Sequence, residues 1–158
     1  MRDAGFTVET LDIGEERQHR RALGQRVYLF DLAYTHGEPD AHVARVSAHL
    51  ADWQSYDAIF VPSSMWIVAD DAYGRAKQTV ERLAAFYIAQ GACVVTDRIG
   101  YFPGDGIDPD PTEPLFAHYV TGDALYARVM DRMLGAAPTA LPELPVYSAQ
   151  NPVSLAAC

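Results

Sequence analysis

Two short apolar runs in the middle of the chain constrain its fold more than any other feature. The first covers residues 56–64 and the second residues 91–97, and neither alternates between apolar and polar side chains. Such runs are typical of parallel strands that helices cover on both faces. The residues between them have helical periodicity up to about Gln90, so this stretch predicts a βαβ unit. The prediction requires Ile59 and Val94 to lie side by side in parallel strands.

The flanking residues extend this unit into a larger α/β domain. We expect further strands at residues 6–11 and 26–31, and a long loop at residues 100–114. One helix is predicted to start at the N-cap Asp40 and a second near Gly74. A last helix is predicted to start at the N-cap Asp123, to end at Gly135 and to bury four apolar side chains, Leu125, Val129, Met133 and Leu134. The predicted fold is a three-layer, flavodoxin-like open parallel sheet of about four or five strands.

The two ends of the chain carry their own expectations. Residues 1–13 have the pattern of a helix end, a stop at Gly5 and a strand, which normally belongs to the first helix and second strand of a doubly wound sheet. We therefore expect the first strand, and the phosphate-binding turn after it, to be missing. Residues 1–137 are predicted to form a single α/β domain. The proline-containing residues 138–158 are predicted to form an extended arm that packs on the body of the domain or on a neighbouring subunit. We also expect the chain to form homo-oligomers.

Composition restricts the partners and the compartment. The chain has 12 Lys and Arg residues against 21 Asp and Glu residues, a formal net charge of -9. Nucleic acids and anionic membrane surfaces bind proteins that present positive charge, so neither is an expected partner of this acidic chain. No apolar stretch reaches the about 20 residues that span a bilayer, and no signal-peptide pattern begins the chain. Its two cysteines, Cys93 and Cys158, suggest no disulfide framework, and we expect a cytoplasmic location.

A ligand site is expected where the strands end. Ligands of open α/β sheets bind beyond the carboxyl ends of the strands. The residues that sequence places there form the predicted ligand-binding set: Ser63, Ser64, Trp66, Asp97, Arg98 and Tyr101. Trp66 and Tyr101 would be the walls of the pocket and the others its polar groups. In the alternative interpretation Asp97 and Arg98 form a structural ion pair and Trp66 belongs to the core.

No metal site is expected. Three histidines, His36, His42 and His49, lie on or near one predicted helix, but a metal site needs ligands that converge on one point. We interpret them as solvated or capping side chains.

A family resemblance accompanies these patterns. Its motifs are residues 56–63 and 65–68, the helical residues 81–87, Gly91, residues 94–96 and residues 98–100. Together they resemble the class I glutamine amidotransferase-like superfamily, and within it the trimerisation domain of certain β-galactosidases. The resemblance covers about the middle third of the chain. It implies a flavodoxin-like three-layer domain that often lacks catalysis.

The resemblance also implies where a nucleophile would lie. Active members of the superfamily carry a cysteine on the turn just after the strand, where this sequence has Asp97 and Arg98. Cys93 falls within the predicted strand, whereas a nucleophilic thiol needs exposure and a nearby base. The sequence therefore predicts an amidotransferase-like domain without the catalytic cysteine, which binds a small-molecule ligand or serves assembly. Whether it is an enzyme stays open.

Two other resemblances imply enzymes. Residues 76–83, following Pro62 and Trp66, are similar to a segment of flavodoxin-like NAD(P)H:quinone oxidoreductases. That similarity implies FMN stacked on aromatic side chains, with its phosphate in a first βα loop that this sequence does not display.

Residues 96–98 and 104–106, with Leu115 and Phe116 after them, resemble a late motif of nucleoside deoxyribosyltransferases. That similarity implies a nucleoside N-ribosidase. The nucleophilic Glu-x-Gly motif of that family has no counterpart, because Glu81 is followed by Arg82 and Leu83.

Overall fold

Three parallel strands form the centre of the protein. The computed structural model describes residues 6–10, 24–68, 70–100, 112 and 120–135. Within these residues, β1 (Tyr28–Phe30), β2 (Ala58–Ser64) and β3 (Val94–Ile99) form one sheet in the order β1-β2-β3. All pairs are parallel, and Ile59 lies opposite Val94. The βαβ unit predicted from the two apolar runs is therefore confirmed.

Helices cover both faces of this sheet. The first helix, α1 (Pro39–Ala51), connects β1 to β2, and α2 (Ala72–Ala89) connects β2 to β3. They pack against each other on one face, which we call the α1/α2 face. On the opposite face, the α3 face, α3 (Gly122–Leu134) packs against β2 and β3. The fold is the predicted three-layer, flavodoxin-like α/β arrangement with an open parallel sheet.

Side-chain alternation along β2 divides the core in two. Ile59 and Val61 contact the α1/α2 face, while Ala58 and Phe60 contact the α3 face. All four are at most 2% exposed. Because β2 is buried on both faces, its first five residues, 58–62, are apolar without interruption, as the sequence pattern indicated.

Two of the predicted helix caps are wrong by a few residues. Asp40 does not cap α1, which begins one residue earlier at Pro39. Proline is favoured at a first helical position because its missing N–H would have no helical partner there. The cap of α3 is Thr121, whose hydroxyl accepts a hydrogen bond from the Ala124 N–H, and not Asp123. Both aspartates lie in the first turn of their helices, where a negative charge interacts favourably with the helix dipole.

The ends of α2 are locally encoded. Asp71 is its N-cap and accepts a 2.6 Å hydrogen bond from the Gly74 N–H, so the helix begins slightly earlier than predicted. At its other end Gly91 has a φ of 94°, a left-handed conformation that favours glycine. The Ala92 N–H then bonds the Tyr87 carbonyl, which completes a Schellman motif. The predicted helix end near Gln90 is confirmed.

Other expectations fail or lie outside the described residues. Residues 6–10 form no strand, and Phe6 packs edge-to-face on Tyr28 with ring centroids 6.1 Å apart. Leu134, predicted to face inward, is 48% exposed, because it lies one residue beyond the buried stripe that includes Met133. The predicted arm at residues 138–158 lies outside the described residues, as does most of the predicted loop.

Within the part of the chain that the structure describes, no helix combines the length and the apolar character that crossing a bilayer requires.

Thr96 allows a test of the described core. It is 5% exposed in β3, and among the described residues nothing hydrogen-bonds its hydroxyl. A buried hydroxyl without a partner costs about 1–3 kcal/mol. Thr96→Val should therefore raise the free energy of unfolding by about 1 kcal/mol in urea denaturation. Thr79→Val is the control, because the Thr79 hydroxyl donates to the Arg75 carbonyl and its loss should not stabilise. A Thr96→Val variant less stable than the wild type would contradict the inference that the buried Thr96 hydroxyl has no hydrogen-bond partner among the described residues.

Candidate functional site

Asp97 and Arg98, two of the predicted ligand residues, lie inside β3 and point to opposite faces of the sheet. Successive side chains of a strand alternate between faces, and β3 continues to Ile99. Asp97 accepts a 2.6 Å hydrogen bond from Arg128 Nε of α3. Arg98 pairs instead with Glu81 of α2. The two residues do not pair with each other, and they do not converge on one pocket.

Ser63, Glu81 and Arg98 form a closed polar network on the α1/α2 face. Ser63 lies opposite Arg98 in the ladder between β2 and β3, and Glu81 contacts both. The Ser63 hydroxyl donates to Glu81 Oε1 at 2.6 Å. Arg98 donates from Nε to Oε1 at 2.8 Å and from its terminal nitrogen to Oε2 at 2.9 Å. Paired geometry of this kind is strong and directional, so the network fixes α2 against the sheet.

The other predicted residues have mixed outcomes. Ser64 ends β2, is 7% exposed, and accepts a 3.1 Å hydrogen bond from the Trp66 N–H. Trp66 is half-buried in the 3-10 turn Met65–Val68. Tyr101 lies outside the described residues. The pocket with Trp66 and Tyr101 as walls therefore stays a prediction.

Cys93 lies at the amino end of β3, the edge opposite to the expected site. It precedes the first strand residue, Val94, and its half-buried side chain packs with the α3-face core. Burial raises the pKa of its thiol, although Arg132 opposes the shift. A thiol with a raised pKa supplies little thiolate at neutral pH.

A second polar network, which sequence reasoning missed, follows β1. Asp31 comes directly after the strand and is 4% exposed. Its Oδ1 accepts from Arg45 Nε and a terminal nitrogen at 3.2 and 3.1 Å, and its Oδ2 lies 2.8 Å from His49 Nδ1. Arg45 and His49 are four residues apart and so share one side of α1. Burial raises the pKa of the Asp31 carboxyl, but His49 and Arg45 outweigh it and lower that pKa below 3.8.

A buried amine lies beside this network. Lys77 of α2, His42 of α1, Tyr34 and Tyr73 form what we call the Lys77 cluster. Lys77 Nζ lies 3.1 Å from His42 Nε2 and donates to the Pro62 carbonyl at 3.2 Å. It lies 5.3 Å from the ring centroid of Tyr34 and 5.7 Å from that of Tyr73. Lys77 is 5% exposed and His42 only 1%, so the interpretation of His42 as a solvated or capping side chain is wrong.

The cluster shifts the proton affinity of both bases. Burial, with the charges of Lys77 and Arg45, lowers the pKa of His42 to about 4. Burial also lowers the pKa of Lys77 to about 8, with Asp31 opposing the shift and Arg45 adding to it. In the described part of the chain no carboxylate forms an ion pair with Lys77. The cluster therefore holds an uncharged imidazole beside an amine that loses its proton readily.

One sequence signal could have found this site. Lys77 is the single lysine among the 12 Lys and Arg residues of the sequence. A buried lysine can become an uncharged amine, whereas arginine keeps its proton. The proximity of His42 had no comparable signal, because the two residues lie 35 positions apart and meet only through the packing of α1 on α2.

Comparison with known proteins adds no assignment. No protein-family model matches the chain, and no curated protein and no solved structure matches it significantly. The functional argument therefore depends on the chemistry of the described residues.

The Glu81–Arg98 pair predicts a non-additive double-mutant cycle. Arg98→Met leaves the Glu81 carboxylate buried without its partner, which should cost about 3–5 kcal/mol of unfolding free energy. Glu81→Met/Arg98→Met removes both charges and should recover most of that loss in urea denaturation. Arg75→Met is the control, because Arg75 and its partner Asp70 are exposed. If the double variant lost as much unfolding free energy as the two single variants together, the coupling between Glu81 and Arg98 would be contradicted.

Lys77 predicts a pH dependence of stability. Its pKa is about 8 when folded and 10.5 when unfolded, so between these values the unfolded chain binds more protons. The free energy of unfolding therefore rises as the pH increases from about 8 to 10.5, and it falls again as the pH returns toward 8. Relative to Lys77→Met, the wild type should gain about 3 kcal/mol between pH 7 and 10.5. Arg75→Met, which removes an exposed cation of α2, should leave the slope unchanged. If the unfolding free energies of the wild type and of Lys77→Met changed with pH at the same slope, the prediction would be contradicted.

Proposed function

We propose that this chain is a small-ligand-binding α/β domain, related to the amidotransferase-like group but without its catalytic cysteine. The ligand binds over the Lys77 cluster at the carboxyl edge of the sheet. The observation that carries the proposal is the buried Lys77 amine at that edge, with which no carboxylate of the described residues pairs. When Lys77 carries its proton, that charge has lost its hydration, and among the described residues no ion pair compensates the loss. A ligand with a carboxylate or carbonyl oxygen supplies the missing acceptor.

The surroundings of Lys77 support this location. Its amine reaches the backbone of β2 at Pro62, one residue before Ser63, so the Ser63–Glu81–Arg98 network adjoins the cluster. That network is internally satisfied and serves as a fixed support. Ser64 and Trp66 follow along the same edge and belong to the proposed wall of the site, with Tyr101 as a further member.

The absence of hydrolytic function rests on Cys93. Its half-buried position at the amino end of β3 separates it from this edge, and its pKa is raised instead of lowered. We therefore expect no glutamine hydrolysis. The proposal also includes homo-oligomers. The cysteine count supports a cytoplasmic location, and the net charge of -9 argues against nucleic acid or a membrane as a partner.

Propanoate binding tests the proposal. This small carboxylate has no ketone or aldehyde group, so its binding measures only the reversible interaction between a carboxylate and the Lys77 amine. Ligand-observed NMR should detect its binding to the wild type and a loss of binding to Lys77→Met. Arg75→Met has lost a cation of the same helix at an exposed position and should bind normally. Undiminished binding to Lys77→Met would overturn the proposed site.

FMN uptake separates this proposal from the flavin-dependent reductase. We expect the purified protein to be colourless and to quench no flavin fluorescence when FMN is added. A yellow protein that retains FMN through gel filtration would favour the reductase instead.

A further inference from the structure

We propose that Lys77 is a nucleophilic amine that forms an imine with a small 2-oxo acid inside the Lys77 cluster. This inference rests on the proposed function, because it places the ligand at the same edge. It adds the chemical class of the ligand and a covalent step. Three observations carry it: the hydrogen bonds around Nζ, the balance of charge in the cluster, and the use of the only lysine of the sequence at a buried position.

The hydrogen bonds around His42 favour an uncharged amine. The Arg45 guanidinium can only donate, and its terminal nitrogen lies 2.9 Å from His42 Nδ1, so Nδ1 is the acceptor. An uncharged imidazole then carries its hydrogen on Nε2, which faces Lys77 Nζ at 3.1 Å. This bond needs a lone pair on Nζ. The tautomer is assigned from the donors and acceptors around the ring, and it makes Lys77 the acceptor of the pair.

The groups that face Lys77 agree with this assignment. The Ala33 carbonyl and Asp31 favour a charged His42, but burial and the two neighbouring cations outweigh them. Asp31 also favours a charged Lys77, yet its carboxylate is already engaged by Arg45 and His49. The remaining neighbours within the cluster are the rings of Tyr34 and Tyr73. Lys77 therefore has the lowered proton affinity that a lysine nucleophile needs.

The charge balance selects an oxo acid over a simple aldehyde. Asp31 and Arg45 compensate each other, so an iminium ion on Lys77 would be a buried cation for which the described residues supply no counter-ion. A carboxylate next to the reacting carbonyl supplies that counter-ion. The faces of Tyr34 and Tyr73 add cation–π stabilisation of the same charge.

The covalent step balances without a redox partner. The lone pair of Nζ forms a bond to the carbonyl carbon while the π pair of the C=O bond moves to oxygen. A proton passes from the nitrogen to that oxygen and gives a carbinolamine. The nitrogen lone pair then forms the C=N bond while the C–O bond breaks, and the departing hydroxyl takes up the second proton of the nitrogen and leaves as water. One amine and one oxo acid yield one imine and one water molecule.

Reductive trapping tests the inference. The full chain is incubated with pyruvate and cyanoborohydride, and the adduct is located by peptide mass spectrometry. We expect one reduced pyruvate on Lys77, half-maximal near pH 8, with slower labelling by butanone, a ketone of similar size without a carboxylate. The only other amine of the sequence is the terminal α-amine, which lies in a separate peptide.

Two variants and a control keep the outcome decisive. Lys77→Arg keeps the positive charge but cannot form an imine, so its adduct should be lost while circular dichroism confirms folding. His42→Phe removes the donor to Nζ and should displace the pH midpoint of labelling. In urea the wild type should label with the midpoint of an ordinary lysine, near 10.5.

The failures of the two proposals are distinguishable. No adduct on folded wild type, together with retained propanoate binding, overturns the imine and leaves the ligand site standing. Loss of both overturns the two proposals together. A folded protein that labels with the same pH midpoint as in urea would show an ordinary, unactivated lysine and would also overturn the imine.

Discussion

The parallel pairing of β2 with both neighbouring strands positions every other element of the described protein. It buries β2 on two faces and sets Ile59 against Val94 and Ser63 against Arg98. Because strands and crossover helices alternate, all three strands direct their carboxyl ends to one edge. The candidate residues reach that edge from α1, α2 and the segment after β1. A sheet with another strand direction would separate them.

The Ser63–Glu81–Arg98 network and the Lys77 cluster, both at this edge, differ in how fully they are satisfied. In the first, Glu81 uses both carboxylate oxygens on Arg98 and also accepts from Ser63. In the second, Lys77 has an imidazole, a carbonyl and two aromatic rings around it but no ion-paired carboxylate among the described residues. A satisfied network fixes packing, whereas an uncompensated buried base is the kind of local cost found at functional sites.

Local chemistry explains which boundaries were predictable. The end of α2 was found because Gly91 adopts a left-handed conformation that few other residues tolerate. Asp40 and Asp123 were mistaken for caps because an aspartate also suits the first turn of a helix, and only the backbone distinguishes the two positions. Asp97 and Arg98 were assigned to a loop because polar residues usually end a buried strand, yet here partners on α3 and α2 allow the strand to continue.

Residue patterns alone predict the parallel sheet and its helical layers, because uninterrupted apolar runs and helical periodicity reflect the burial that any such fold requires. They also reveal the solitary lysine. The contacts of Lys77 with His42 and the tyrosines, and the opposite directions of Asp97 and Arg98, become evident in the folded protein. These residues and their partners are far apart along the chain. Contacts between remote side chains depend on helix packing and strand register, which leave no periodic trace in the residues themselves.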